Sequence, residues 1–195
     1  MKLFKYIILI LFLIFACDAD NGTDPDLTAE ELIAQGWENF ESADYSAALT
    51  SFEEAISKDE TIADAFNGAG WTNGRLTNLT DAVSRFSSAI TLNANLTDAH
   101  AGLAFAHNAQ KSYQSAINSA NTAIGLESDW DFSHDETLDY KDLHLLLAES
   151  YFATLDFTSS LAQVQILNPS FTADVNTFDG RSALAAEIER LRQSV

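Results

Sequence analysis

Apolar residues along most of this chain recur at helical spacing, and the helical stretches themselves recur. From Leu27 onward the apolar positions fall three and four residues apart, as on one face of a helix, and short polar breaks separate one such stretch from the next. Ala48, Ala82 and Ala116 stand 34 positions apart, and Leu49, Val83 and Ile117 keep the same interval. So do Ala55, Ala89 and Ala123, and Ile56, Ile90 and Ile124. A fixed period of this size marks a stacked array, in which each unit buries its apolar face only against its neighbours. The pattern predicts an all-α solenoid and points to binding rather than catalysis.

The helix boundaries follow from local chemistry. Thr28 and Glu31 have the spacing of a capping box, which satisfies two orphan backbone donors at a helix start, and Leu32, Ile33, Gly36 and Phe40 continue at helical spacing. A break at Ser42-Ala43-Asp44 opens a second helix from about Tyr45 to Ser57. The pair recurs from about Ala63 to Ala94 and from Thr97 to Leu126, with Thr97 and Asp98 at the start of the third unit.

These units resemble the tetratricopeptide repeat (TPR), whose pattern places a large residue, a glycine, an alanine, an aromatic and a second alanine at fixed offsets. Leu32, Gly36, Ala48, Phe52 and Ala55 occupy those positions in the first unit, and Phe66, Gly70, Ala82, Phe86 and Ala89 in the second. The third has Leu103, Ala104, Ala116 and Ala123, with Ala120 in place of the aromatic. A fourth comes from Leu147, Ala148, Tyr151, Phe157, Leu161 and Val164, with Ser160 in the alanine position. Physically, the small residues let two helices approach and the aromatic fills the hole between them. Glu60, Ala94 and Ser128 stand where a closing proline is usual, and Asn39 and Asn73 where a tyrosine is.

The expectation is an α-solenoid of about four TPR helix-turn-helix repeats with a C-terminal capping helix. The repeats divide as 27–62, 63–96, 97–128 and a degenerate 139–170. A ten-residue insertion loop, 129–138, lengthens the step from Ala116 to Ser160 to 44 positions. Residues 171–195 form a loop, through Phe178, and then a capping helix over Ala183 to Arg192.

The N-terminus obeys a different pattern. Lys2 and Lys5 precede an unbroken apolar run from Tyr6 to Ala16. That run is shorter than the roughly 20 residues that span a bilayer, so it reads as the apolar region of an export signal. Ile14-Phe15-Ala16-Cys17 resembles the lipobox of bacterial lipoproteins, which implies a signal peptide over 1–16 and lipidation of Cys17, the one cysteine of the chain. Phe15 is bulkier than the residue usual there. Residues 17–26 hold Asp18, Asp20, Asp24 and Asp26 and form an acidic flexible tether. The implied location is the cell envelope, exported and anchored to the inner or outer membrane.

Cleavage makes the chain more acidic. Removing Lys2 and Lys5 from ten basic residues leaves eight against 29 acidic ones, so the formal charge moves from −19 to −21. Such a surface repels phosphate backbones, which excludes nucleic acid as a partner. No nucleophile elbow, phosphate loop or H-E-x-x-H sequence is present, and no catalytic residue, cofactor or metal is expected.

In the resembled family the first helices line a concave groove for peptides. Mapped here, that groove carries Trp37, Trp71 and Phe105 in one column, continued by Glu149, and Phe40, Asn108 and Phe152 in the next, with Arg75 beside them as a cation for a carboxylate. As an open groove such an aromatic face suits a protein or peptide segment, so the chain reads as a protein-interaction adaptor or scaffold; packed between neighbouring first helices, the same rings would instead be mostly buried. The alternative is a surface glycan- or solute-binding lipoprotein using the same rings. Glu30, Asp64, Asp98 and Asp142 recur near the first-helix starts, where a helix N-terminus favours negative charge. In the insertion, Asp129, Asp131, Ser133 and Asp135 alternate like the start of a calcium loop, but His134 and Tyr140 stand where glycine and glutamate are required. A surface loop with Trp130 and Phe132 tucked onto the array is expected instead. His100 and His107 are read as packing residues rather than ligands.

Overall fold

The computed structural model describes residues 27–194. The segments expected to be a signal peptide and an acidic tether, with Cys17 between them, lie outside the described residues. Among the described residues nine helices run α1 (Ala29–Glu41), α2 (Tyr45–Lys58), α3 (Ala63–Arg75), α4 (Leu79–Leu92), α5 (Thr97–Ala109), α6 (Tyr113–Leu126), α7 (Tyr140–Ala153), α8 (Phe157–Leu167) and α9 (Phe178–Arg192). Among the described residues there is no strand, only an isolated bridge between Asp131 and Asp139. No helix of the described residues is long and apolar enough to cross a membrane.

Successive helices pair as antiparallel hairpins, α1 with α2 through α7 with α8, and each hairpin stacks on the next. First helices also pack across units, α1 with α3, α3 with α5 and α5 with α7, whereas the backbones of successive second helices stay apart, α2 and α4 being bridged by the long side chains of Glu53 and Arg85 at 2.7 Å. An array packed tightly on one side and splayed on the other curves, so the first helices form its inner face. The protein is an all-α solenoid.

The buried columns explain the 34-residue period atom by atom. Phe52 is fully buried between two glycines: a Cβ added at Gly36 would stand 2.6 Å from its ring and one at Gly68 2.2 Å. One unit later Phe86 lies between Gly70 and Gly102 at 2.7 and 2.2 Å. Each ring therefore rivets its own first helix to the next one. In the third unit, where Ala120 replaces the ring, Ala104 and Leu146 occupy the two glycine registers, and all three are buried. Side-chain bulk has moved from α6 to α7 there.

Every hairpin turns the same way. The N–H groups of Ala43 and Asp44 donate to the Phe40 and Asn39 carbonyls, and the same two bonds recur at Thr77 and Asn78, Lys111 and Ser112, and Leu155 and Asp156. This is the Schellman motif, whose turning residue adopts left-handed backbone and is usually glycine. Here the residues are Ala43, Thr77, Lys111 and Leu155, with φ of 62°, 63°, 60° and 66°. Left-handed backbone costs an L-residue about 1–2 kcal/mol, and β-branched Thr77 is the least suited of the four. Thr77→Gly is expected to raise stability by about 0.5–1 kcal/mol after the glycine's greater unfolded entropy is deducted. A urea midpoint equal to or below that of the parent would contradict this.

The capping helix starts five residues earlier than its apolar pattern predicts. Thr177 is its N-cap, with Oγ1 accepting from the Gly180 N–H at 3.0 Å. Gly180 sits within the first turn because a Cβ there would lie 1.9 Å from the Asp174 carbonyl oxygen. Leu184, Ile188 and Leu191 of α9 then cover the end of the array together with Leu145, Ala148 and Val164.

Candidate functional site

The inner face brings the predicted aromatic column together and then covers it. Trp37 and Trp71 are only 6% and 5% exposed, Phe40 3%, and Phe105 is half-buried. What covers them is the segment between α6 and α7, which runs back along the inner face from the third unit to the first. Trp130 and Phe132, at 1% and 0% exposure, face the array, while Asp131 between them and Ser133 after them face outward. From Trp130 to Phe132 this is the side-chain alternation of extended backbone; Ser133 and His134 then form a turn closed by the Asp135 N–H donating to the Phe132 carbonyl.

The rings of the segment mesh with the rings of the column. Phe132 stacks on Trp71 with centroids 4.1 Å apart, and lies edge-on to Trp37 at 6.0 Å and to Phe40 at 6.1 Å. His134 stacks flat on Trp37, 3.7 Å away and within 1° of parallel. Trp130 lies 6.5 Å from Phe105 and 6.4 Å from Trp71. Side chains of roughly 150–250 Å² each, packed in this way, give a large burial term plus about 0.5–1.5 kcal/mol per well-placed ring pair.

Polar contacts fix the register. Arg75 ion-pairs with Asp135 at the tip of the segment, while its guanidinium lies 5.9 Å above the Phe40 ring. His134 Nδ1 meets Glu41 Oε1 at 2.8 Å. Burial resists charging of Asp135, but hydrogen bonds from the side chain and backbone of Thr137, together with Arg75, hold its carboxyl below the ordinary value. The acidic alternation of the insertion is thus used in part to grip Arg75.

The acidic column at the first-helix starts does more than favour a helix dipole. Asp64 Oδ2 accepts from Trp37 Nε1 at 3.1 Å. The same offset of 27 residues pairs Trp71 with Asp98, yet Asp98 Oδ1 accepts instead from Trp130 Nε1 at 2.7 Å. Trp71 Nε1 is left buried with no acceptor, at a cost of about 1–3 kcal/mol for a buried neutral donor. Burial pushes the Asp98 carboxyl up, against the lowering effect of the Trp130 bond. Asp142 closes a capping box on the Asp139 N–H at 2.9 Å.

The remaining predicted residues lie further along the inner face. Asn108 Nδ2 donates to Ser150 Oγ at 2.9 Å, and Phe152 packs edge-on against Phe157 at 5.1 Å. Glu149 pairs with Arg192 at 2.7 Å. Around Asn108, Lys111, Phe152 and Arg192 the face stays open as a cavity of about 410 Å³. A smaller hollow of about 210 Å³ lies by Phe105, Gly74 and Leu138, at the edge of the insertion. His100 bonds the Ala94 carbonyl at 3.0 Å, and burial drives the His107 ring below its ordinary pKa. Among the described residues no cluster of His, Cys, Asp and Glu has the composition of a metal site.

No protein-family model matches the chain, and no curated protein is significantly similar to it in sequence. Solved structures are similar in fold. The crystal structure of MamA superposes with a TM-score of 0.58 at 18% identity, over 72% of this chain and 81% of that one. The TPR2B domain of yeast Sti1, in a complex with pHsp70, gives 0.54 at 22% identity over 66% and 97%. The TPR domain of Arabidopsis OM64 gives 0.52 at 16% over 59% and 93%. At these identities the likeness is one of architecture: the array has the fold of tetratricopeptide-repeat domains.

Proposed function

We propose that the chain is a lipid-anchored adaptor of the bacterial cell envelope that receives an extended protein segment on the inner face of its array. The observation that carries the binding part is that this face already holds a polypeptide segment, extended over Trp130 to Phe132 and turned at Ser133-His134, packed ring against ring. A surface that recognises alternate side chains of its own chain has the shape and chemistry to recognise those of another. The fold neighbour from Sti1 was solved as a complex with pHsp70, which supports the same reading. The anchor rests on Ile14-Phe15-Ala16-Cys17 and the charged, apolar stretch before it. The occupant of the indole faces is itself polypeptide, through His134 and Phe132, which favours a protein segment over a glycan.

Two measurements test the two halves. Cys17→Ala is expected to move the protein from the membrane to the soluble fraction, and continued retention would reject the anchor. A photo-reactive residue at position 108 or 152, irradiated in intact cells, is expected to give a discrete protein adduct. No adduct at either position, with the insertion present or replaced, would reject the adaptor.

A further inference from the structure

We infer that the insertion is an exchangeable occupant of the inner face, whose place is taken by a partner segment carrying an indole, two further rings at alternate residues and a carboxylate after the third. The inference rests on the adaptor reading and names the chemistry of its partner.

The segment is attached in a way that permits release. Its backbone hydrogen bonds close on itself: Phe132 N–H to the Leu138 carbonyl, Asp135 N–H to Phe132, and Leu138 N–H to Asp135. The bridge between Asp131 and Asp139 ties its two stems together. Contacts with α1, α3 and α5 are made by side chains, through Trp130, Phe132, His134 and Asp135. The loop can therefore lift as a unit without breaking a helical hydrogen bond.

The repeat geometry also supplies an alternative bonded state. In the first unit the indole of Trp37 reaches the aspartate 27 residues on. In the second unit the equivalent aspartate, Asp98, is held by Trp130, and Trp71 has no acceptor. When Trp130 leaves, the Asp98 carboxylate, now turned to Trp130 through Oδ1, can turn to Trp71 in the arrangement that Trp37 and Asp64 already show. The closed state thus carries an unsatisfied donor that the open state can satisfy, which is the condition for exchange rather than permanent closure.

The recognition elements read directly from the occupant. An indole N–H meets Asp98, a second ring lies on Trp71, a third on Trp37, and a carboxylate meets Arg75. A partner competes with a tethered copy of the same elements, whose effective concentration is on the order of millimolar.

The test uses a fluorescein-labelled synthetic peptide of residues 127–138, titrated into the full-length protein in detergent micelles. A chain with residues 129–137 replaced by an equal length of Gly and Ser is expected to bind it saturably, and the parent about 100-fold more weakly. A peptide with alanine for both Trp130 and Phe132 is expected not to bind. Asp135→Asn in the protein, which loosens the tethered copy but leaves the peptide and Arg75 intact, is expected to tighten peptide binding several-fold. Equal affinity for the parent and replaced chains, or no binding by a replaced chain with native helical circular dichroism, overturns the inference. If the replaced chain does not fold, unchanged affinity in Asp135→Asn overturns it. Because the assay needs no natural partner, exchange without any cellular adduct would overturn the adaptor reading alone.

Discussion

Phe86→Ala is expected to cost about 3–5 kcal/mol of unfolding free energy, the range for deleting a fully buried ring. That is a large share of the roughly 5–15 kcal/mol that holds an ordinary domain together. The reason is the geometry of the hole: Phe86 is 1% exposed, and Gly70 and Gly102 press on it from two different helices. Neither glycine has a side chain to relax into the space, so the cavity stays. Gly102→Ala alone is expected to cost about 1–3 kcal/mol, because its Cβ would stand 2.2 Å from the ring. Combining the two should cost clearly less than their sum, since the new methyl enters the space the ring has left. The third unit already embodies this compensation with Ala104, Ala120 and Leu146. Urea unfolding of the two single variants and the double variant measures the coupling. Strict additivity would mean that glycine and ring do not share one hole.

The second large effect concerns the column that the sequence offers as a binding surface. Trp37→Ala combined with Trp71→Ala is expected to abolish native tertiary structure at 25 °C rather than to remove a ligand contact. Each indole is more than nine-tenths buried. Trp37 packs edge-on against Phe40 and Phe52 at 5.6 and 5.0 Å, and Trp71 against Phe86 at 5.6 Å. At about 3–5 kcal/mol for each truncation, the pair rivals the whole stability of a domain. Near-ultraviolet circular dichroism and a urea midpoint decide the matter: parent-like values in the double variant would show the column to be peripheral. Binding studies on this protein are better made through the insertion, whose side chains can be altered without emptying the rivets between helices.

The fold was legible because its determinants are local and repeated. Spacing alone located the hairpins, and Gly36, Gly70, Phe52 and Phe86 marked their close approach. The start of α9 was missed because its cause is not local: Gly180 answers to the Asp174 carbonyl, and Thr177 lies outside the apolar pattern. The inner face was legible as a list of residues, and Trp130 and Phe132 as rings against the array, but the covering of this face by them was not. Its cover comes from residues up to 93 positions away along the chain, as between His134 and Glu41. A signal for it was nevertheless present. The alternating Asp129, Asp131, Ser133 and Asp135 invite a test for metal ligation, while the positions between them carry Trp130, Phe132 and His134. Taken from that second side, the alternation describes a segment with one apolar edge, extended over Trp130 to Phe132 and turned at Ser133-His134. The 27-residue offset offers Asp98 to Trp71, but that Trp130 takes it instead has no trace in the sequence, because Trp130 arrives there only when the insertion folds back over the inner face.

Linear repeat arrays gain stability unit by unit, and their ends fray or fold nearly independently of one another. The loop that returns from between α6 and α7 to Glu41 alters that behaviour here. It joins the first unit to the third and fourth through contacts of long sequence separation, which are slow to form because a large loop must close first. With the loop seated, the array should unfold in one cooperative step and resist removal of its first repeat poorly. With the loop lifted, it reverts to a chain of neighbours, each melting at its own denaturant concentration.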